Sequence, residues 1–167
     1  FVTEAGLVLA KKLLGALADT KRPYRVVPPE ELEKVSGTSH HEGICLVAKP
    51  RAEPTLADVL ARKGPRLLAG LPGVRNPHNL GAILRVAAHF SVDALLIDRE
   101  APRIAGAVAR SAEGGAEHVD VVRIGSFVET IEPIVKAGVK IVATSSHAER
   151  SIYDLPYTPR LLILFGA

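Results

Sequence analysis

An arginine in one predicted helix is the side chain best placed to do chemistry. Arg85 lies one helical turn beyond Gly81 and directly follows the apolar pair Ile83 and Leu84. A guanidinium beside a strand-to-helix cleft can neutralise a phosphate or hold a hydroxyl, because its planar fork donates several hydrogen bonds. The spacing equally allows an exposed helix residue without a chemical role, so the residues alone leave both interpretations open.

Two residues predict where this helix begins. Asn76 is a residue type that caps helices, and Pro77 suits the first helical position because its missing N–H is not needed there. The segment 72–76 before it forms the loop that follows a predicted strand. The apolar spacing predicts a buried face made of Leu80, Ile83, Leu84 and Ala87.

Apolar runs alternate with helical segments from Arg66 onward, which predicts an α/β fold with a mostly parallel sheet and helices on both faces. The predicted strands are Arg66–Leu71, Asp93–Ile97, Val119–Val122, Val139–Ala143 and Leu161–Phe165, and the helices cover about 78–90, 102–112 and 126–137. Ligands of such sheets bind beyond the carboxyl ends of the strands, where the strand order reverses. The loops after these strands are therefore the candidate site.

Residues 1–49 predict part of a smaller α/β unit, and residues 50–65 a polar linker with a short helix. The smaller unit has helical spacing over residues 3–18, a strand at Tyr24–Val27, a helix between Pro28 and Gly37, and a buried strand at Ile44–Ala48 that holds Cys45 in the core. The absence of Met and the apolar run up to Ala167 predict that the chain is part of a longer protein.

Composition excludes several classes of protein. With 47% hydrophobic residues the chain is not a disordered tail, and one cysteine forms no internal disulfide, which favours a cytoplasmic location. No apolar run reaches the roughly 20 residues of a membrane span. Only 4% of residues are aromatic, which disfavours a base-stacking platform, while a net charge of +3 permits an RNA partner.

Adjacent His40 and His41 make a poor metal site because no further ligand lies at a suitable spacing, so we expect no metal.

The segment Asn76–Arg85, with its pattern N-P-x-N-x-G-x-x-x-R, resembles the first motif of the SpoU/TrmH family, the RNA ribose 2′-O-methyltransferases of the SPOUT superfamily. Three further stretches are similar to family segments: Ser111–His118, Ala143–Ser146 and Leu162–Ala167. Residues 35–47 resemble the end of the family's N-terminal substrate-binding domain.

A nucleotide-binding oxidoreductase is disfavoured, because the glycine fingerprint G-x-G-x-x-G is absent from the sequence.

The resemblance implies a SPOUT-type trefoil-knot methyltransferase domain over residues 66–167, cut before the knot closes, after a partial RNA-binding domain at 1–49. It implies S-adenosylmethionine as cofactor, tRNA or rRNA as substrate, and a homodimer. The active site would contain Arg85 and Asn79, with Asn79 holding the loop. The cofactor would be bound near Thr144, Ser145, Leu164 and Gly166. Arg75, Arg110 and His41 are the candidate RNA contacts, and a non-catalytic RNA-binding relative is the alternative function.

Overall fold

The computed structural model describes residues 1–49 and 51–166, which form two compact units, Phe1–Arg51 and Ala52–Ala167. Pro50 and Ala167, the ends of the predicted linker and of the last predicted motif, lie outside the described residues.

The first unit is built on two helices, α1 (Glu4–Asp19) and α2 (Pro29–Ser36). The Thr3 side chain caps α1 by accepting the Gly6 N–H, and Gly37 ends α2 in the left-handed conformation. The core of the unit includes Val2, Ala10, Val27 and Leu32. These helices agree with the predicted ones to within about a residue.

The two strands predicted in the first unit are wrong. Single backbone bridges pair Val2 with Val26 on one side and with Ile44 on the other. Helix α1 begins at Glu4, so neither ladder continues past Thr3 in that direction. The predicted buried strand at Ile44–Ala48 is instead largely exposed, with Val47 84% exposed and Cys45 only half-buried.

The second unit contains a five-stranded, all-parallel sheet in the order β3-β2-β1-β5-β4. The strands are β1 (Arg66–Leu71), β2 (Ala94–Asp98), β3 (Asp120–Ile124), β4 (Lys140–Ala143) and β5 (Arg160–Leu164). The helices are α3 (Leu56–Ala61), α4 (Pro77–His89), α5 (Ala107–Ala112) and α6 (Phe127–Lys136), with short 3-10 helices at Gly115–Glu117 and Ile152–Asp154.

Alternate residues of the strands pack into two cores, one on each face of the sheet. The core under α4 and α5 contains Ala69, Leu95 and Ile97. The core on the opposite face, under α3 and α6, contains Leu68, Leu96 and Leu162. The predicted α/β fold with a parallel sheet and helices on both faces is therefore confirmed.

Helix α5 begins at Ala107, five residues later than predicted. The guanidinium of Arg123 donates to the carbonyls of Ala101 and Pro102 at 2.6 and 2.8 Å. Those carbonyls are thus engaged by a side chain from β3, and the segment before Gly106 stays a loop.

Candidate active site

The strand order reverses between β1 and β5. From β1 the chain proceeds to β2 and β3 on one side of the sheet, and then crosses to β4 and β5 on the other side. Loops that leave neighbouring strands in opposite directions open a crevice at the carboxyl edge, which is where ligands bind in sheets of this kind. The segments after β1, β4 and β5 border this crevice.

Helix α4 starts as the sequence predicts. The Asn76 side chain accepts the backbone N–H groups of His78 and Asn79 at 2.8 and 3.4 Å, and Pro77 occupies the first position. Asn79 thus gives the cap only its backbone N–H, and its side chain is exposed. The cap is therefore held by Asn76, and the side chain of Asn79 faces solvent beside the loop.

The loop between β1 and α4 is tied to the end of β2 by a carboxylate that the sequence did not single out. Asp98 accepts the Gly73 backbone N–H and an N–H of Arg75, both at 2.8 Å. Burial by itself would raise the pKa of Asp98, but these two donors outweigh it and hold that pKa below its usual value. Arg75, a predicted RNA contact, is thus paired with Asp98, although its side chain remains 54% exposed.

One stripe of α4 packs against α5 and the turn that follows it. A Cβ on Gly81 would lie 2.5 Å from the Ser111 Cβ, and a Cβ on Gly115 would lie 2.8 Å from the Arg85 Cα. The His78 ring nitrogen Nδ1 is 3.1 Å from the Ser111 hydroxyl. Both glycines are therefore required by close packing, which gives the small residues of the segment 111–118 a structural role.

Arg85 lies on the same stripe with its side chain 58% exposed, and an Nη1 hydrogen bond of 2.8 Å joins it to Glu113. The predicted apolar face of α4 packs into the core, where Leu80 and Leu84 are buried and Ile83 is partly buried. Glu113 was missed by sequence reasoning. Its partner lies 28 residues away along the chain, so no local pattern in the sequence pointed to it.

The residues predicted to bind the cofactor come together at the ends of β4 and β5. Thr144 donates its backbone N–H to the Leu164 carbonyl at 2.8 Å, and its hydroxyl accepts the Gly166 N–H at 3.3 Å. The Ser145 hydroxyl accepts the His147 N–H at 3.1 Å, so both hydroxyls keep their own hydrogens to donate.

The donor set of this cluster fits a neutral nucleoside. It offers hydroxyls and backbone groups, and the four clustered residues carry no charged side chain. A Cβ on Gly166 would lie 3.1 Å from the Thr144 carbonyl oxygen, so glycine keeps the two strand ends close together. An adenosine portion of a cofactor is a ligand of this type.

The two other predicted RNA contacts are Arg110 and His41. Arg110 is exposed in the last turn of α5. His41 belongs to the first unit, where its Nδ1 accepts the Gly43 N–H at 3.0 Å and leaves Nε2 for another partner. Among the described residues, no helix is long and apolar enough to cross a membrane.

Known proteins match both units of the chain. Residues 66–167 match the SpoU rRNA Methylase family, and residues 1–54 match the RNA 2′-O ribose methyltransferase substrate binding family. One relative, an uncharacterized tRNA/rRNA methyltransferase YfiF of Escherichia coli O157:H7, is 33% identical over 93% of this chain and 46% of its own length. Another, the 23S rRNA (guanosine-2′-O-)-methyltransferase RlmB of Vibrio vulnificus, is 38% identical over 77% of this chain and 54% of its own length. The chain thus spans about half the length of these relatives.

Solved structures share the fold. An rRNA methyltransferase from Sinorhizobium meliloti superposes with a TM-score of 0.72 at 15% identity, covering 95% of this chain and 61% of that one. A crystal structure of an RNA 2′-O ribose methyltransferase gives a TM-score of 0.54 at 25% identity over 59% of this chain and 38% of that one. With more than half of its residues matched to one family, the chain belongs to the SpoU rRNA Methylase family.

Proposed function

We propose that the whole protein transfers a methyl group from S-adenosylmethionine to a ribose 2′-hydroxyl of RNA. The observation that carries this proposal is the exposed guanidinium of Arg85, on the helix that follows β1 at the point where the strand order reverses. The name of the relative RlmB, a 2′-O-methyltransferase of 23S rRNA, supports the same reaction.

The cluster at the ends of β4 and β5 is the proposed binding place of the cofactor. Thr144, Ser145, Leu164 and Gly166 would hold the adenosine through hydroxyl and backbone groups. When bound, S-adenosylmethionine supplies a methyl group on a sulfonium, which is electrophilic enough for a hydroxyl oxygen to attack. The chain's own residues then have two tasks, which are to align the ribose and to stabilise the charge that develops on its oxygen.

Arg85 is proposed to stabilise that charge. A guanidinium offers five N–H donors and no acceptor, so it does not remove the hydroxyl proton, which is proposed to pass to water as the methyl group is transferred. It lowers the energy of the developing alkoxide, and it can hold the adjacent phosphate with the same planar fork. Asn79, six residues earlier on α4, is proposed to lie beside the bound nucleotide.

The remaining contacts are proposed to bind RNA. Arg75 and Arg110 would bind phosphates around α4 and α5, and residues 1–49, with His41, would form part of an RNA-binding domain joined by the segment 50–65 to residues 66–167. Their match to a substrate-binding family supports this role. The protein is proposed to act on tRNA or rRNA in the cytoplasm, as a homodimer.

Arg85→Ala tests the proposed function. We expect methyl transfer to RNA in single-turnover assays at saturating S-adenosylmethionine to fall about 100-fold or more, because a preorganised donor to the transition state is lost. Cofactor affinity should barely change, and lysine should restore little of the rate since it lacks the planar fork. Lys140→Ala is the matched control, because it removes an exposed cation at the start of the outer strand β4, and it should leave turnover unchanged.

Two outcomes would contradict parts of the proposal. Near-normal turnover in folded Arg85→Ala protein would contradict the role given to Arg85 and show that it is only an exposed helix residue. Binding of RNA by the unmodified protein, with no methyl transfer to any tRNA or rRNA, would favour the non-catalytic RNA-binding alternative.

A further inference from the structure

The Arg85 side chain has one partner among the described residues, the carboxylate of Glu113 at 2.8 Å. We propose that Glu113 is a positioning residue, which holds the guanidinium of Arg85 in the orientation that serves methyl transfer. This inference rests on the proposed function, since it assigns a partner to the arginine that the reaction would use.

The backbone around Glu113 is anchored on the backbone of Arg85. Gly115 packs so closely against α4 that a Cβ would lie 2.8 Å from the Arg85 Cα and from the Leu84 carbonyl oxygen. Glu113 itself ends α5 at a φ of +46°, with its N–H donated to the Arg110 carbonyl at 3.2 Å. The carboxylate is therefore presented to Arg85 by a turn whose position α4 fixes.

The pair leaves most of the guanidinium available. Glu113 accepts one N–H, from Nη1, whereas a guanidinium carries five. The remaining donors can still reach a ribose oxygen or a phosphate while the carboxylate restrains rotation of the long side chain. Both side chains are more than half exposed, at 58% and 59%. Exposed pairs of this kind contribute little to stability, so the pair is not explained by a stabilising role.

Substitution of Glu113 separates positioning from stability. In Glu113→Ala we expect kcat to fall about tenfold, while the KM for RNA changes by less than about twofold and the melting temperature stays within a degree or two, because only the orientation of Arg85 is lost. Glu113→Gln keeps an acceptor at the same place and should recover part of the rate. Glu117→Ala, an exposed glutamate of the following 3-10 helix, is the matched control and should leave kcat unchanged.

The double variant decides whether Glu113 acts through Arg85. In an Arg85→Ala background, Glu113→Ala should cause no further loss of turnover. Unchanged kcat in both Glu113 variants would overturn the proposal, as would tighter RNA binding without loss of kcat, which would make Glu113 a competitor of the RNA phosphate. If the unmodified protein transfers no methyl group to RNA, the proposed function fails instead, so the two failures are distinguishable.

Discussion

Two acidic side chains near α4 each hold an arginine, and their surroundings give them different roles. The Asp98 side chain is 19% exposed and joins Arg75 to the backbone of the loop after β1. The Glu113 side chain is 59% exposed and accepts a hydrogen bond from the guanidinium of Arg85. Because hydrogen bonds to a partly buried carboxylate contribute more than those in water, Asp98 should matter for folding, whereas Glu113 should matter for the reaction.

Replacing Asp98 with asparagine should destabilise the protein in a pH-dependent way. At pH 7 we expect Asp98→Asn to lower the free energy of unfolding by about 1.5–3 kcal/mol, the cost of losing charge-assisted hydrogen bonds. Since the pKa of Asp98 is lowered in the folded state, its contribution is fully present above the unfolded pKa, about 3.9, and is lost as the pH falls through the folded pKa.

Urea unfolding of both proteins between pH 7 and pH 2 would measure this difference. The two free energies should converge at the acidic end. Asp19→Asn, on an exposed aspartate of α1, is the control and should change the free energy of unfolding at pH 7 by less than about 0.5 kcal/mol. A difference that stays constant from pH 7 to pH 2 would show that the charge of Asp98 is not responsible.

The sequence predicted the Asn76 cap and the position of Arg85 on α4 because both depend on neighbours along the chain. Helix capping and helical spacing are local, and a motif of ten residues carries them. Asp98 and Glu113 lie 23 and 28 residues from their arginine partners. Only the pairing of β1 with β2 and the packing of α5 on α4 bring them close, so no local pattern could have identified them.

At the scale of elements, α4 has three faces with different surroundings. One face carries Leu80 and Leu84 into the core, a second packs Gly81 and Arg85 against α5 and its turn, and a third exposes Val86 and Phe90. The position of Arg85 is therefore fixed by the packing of α4 on the core and by its packing on α5 and the following turn. This arrangement explains why the first motif needs a glycine one turn before its arginine.

Gly81→Ala should destabilise the second unit, although alanine is the better helix former. The added Cβ would lie 2.6 Å from the Val108 carbonyl oxygen, which belongs to the backbone and cannot move aside easily. We expect a loss of about 1–3 kcal/mol on unfolding by urea, after the gain of roughly 1 kcal/mol in helix propensity.

Gly15→Ala in α1 provides the matched control, since nothing lies within 4 Å of its Cβ position. This variant should be unchanged or more stable by up to about 1 kcal/mol. Equal behaviour of the two variants would mean that α4 and α5 do not pack as closely as described.

The strands of the second unit were predictable to within two residues because each contains an apolar run. Their order in the sheet was not, since nothing in the runs says that β5 pairs with β1 and β4. The late start of α5 depends on Arg123, a residue of a different strand. In the first unit, single bridges from Val2 to Val26 and to Ile44 take the place of the predicted strands. Each difference arises from contacts between segments, which local periodicity does not contain.

At the scale of the whole molecule, the second unit has an apolar groove of about 650 Å³ between α4 and the neighbouring strands β1 and β5. Three of its lining residues, Val86, Phe90 and Phe165, are 55%, 66% and 44% exposed. Clustered apolar side chains of this kind mark interaction surfaces on folded proteins. The groove lies on the same helix as Arg85, so a partner bound there would border the proposed active site.

In the proposed homodimer, we expect a second copy of the protein to bind in this groove. We expect light scattering at micromolar concentration to give the mass of a dimer, with an interface of at least about 2,000 Å² if the association is permanent. The combined substitution of Val86→Glu and Phe90→Glu should produce monomers, because burying two carboxylates in an apolar interface is costly. Val128→Glu, at a 77% exposed position in α6 on the other face of the sheet, should remain a dimer. A monomeric unmodified protein would contradict the dimer, and a double variant that stays dimeric would place the interface elsewhere.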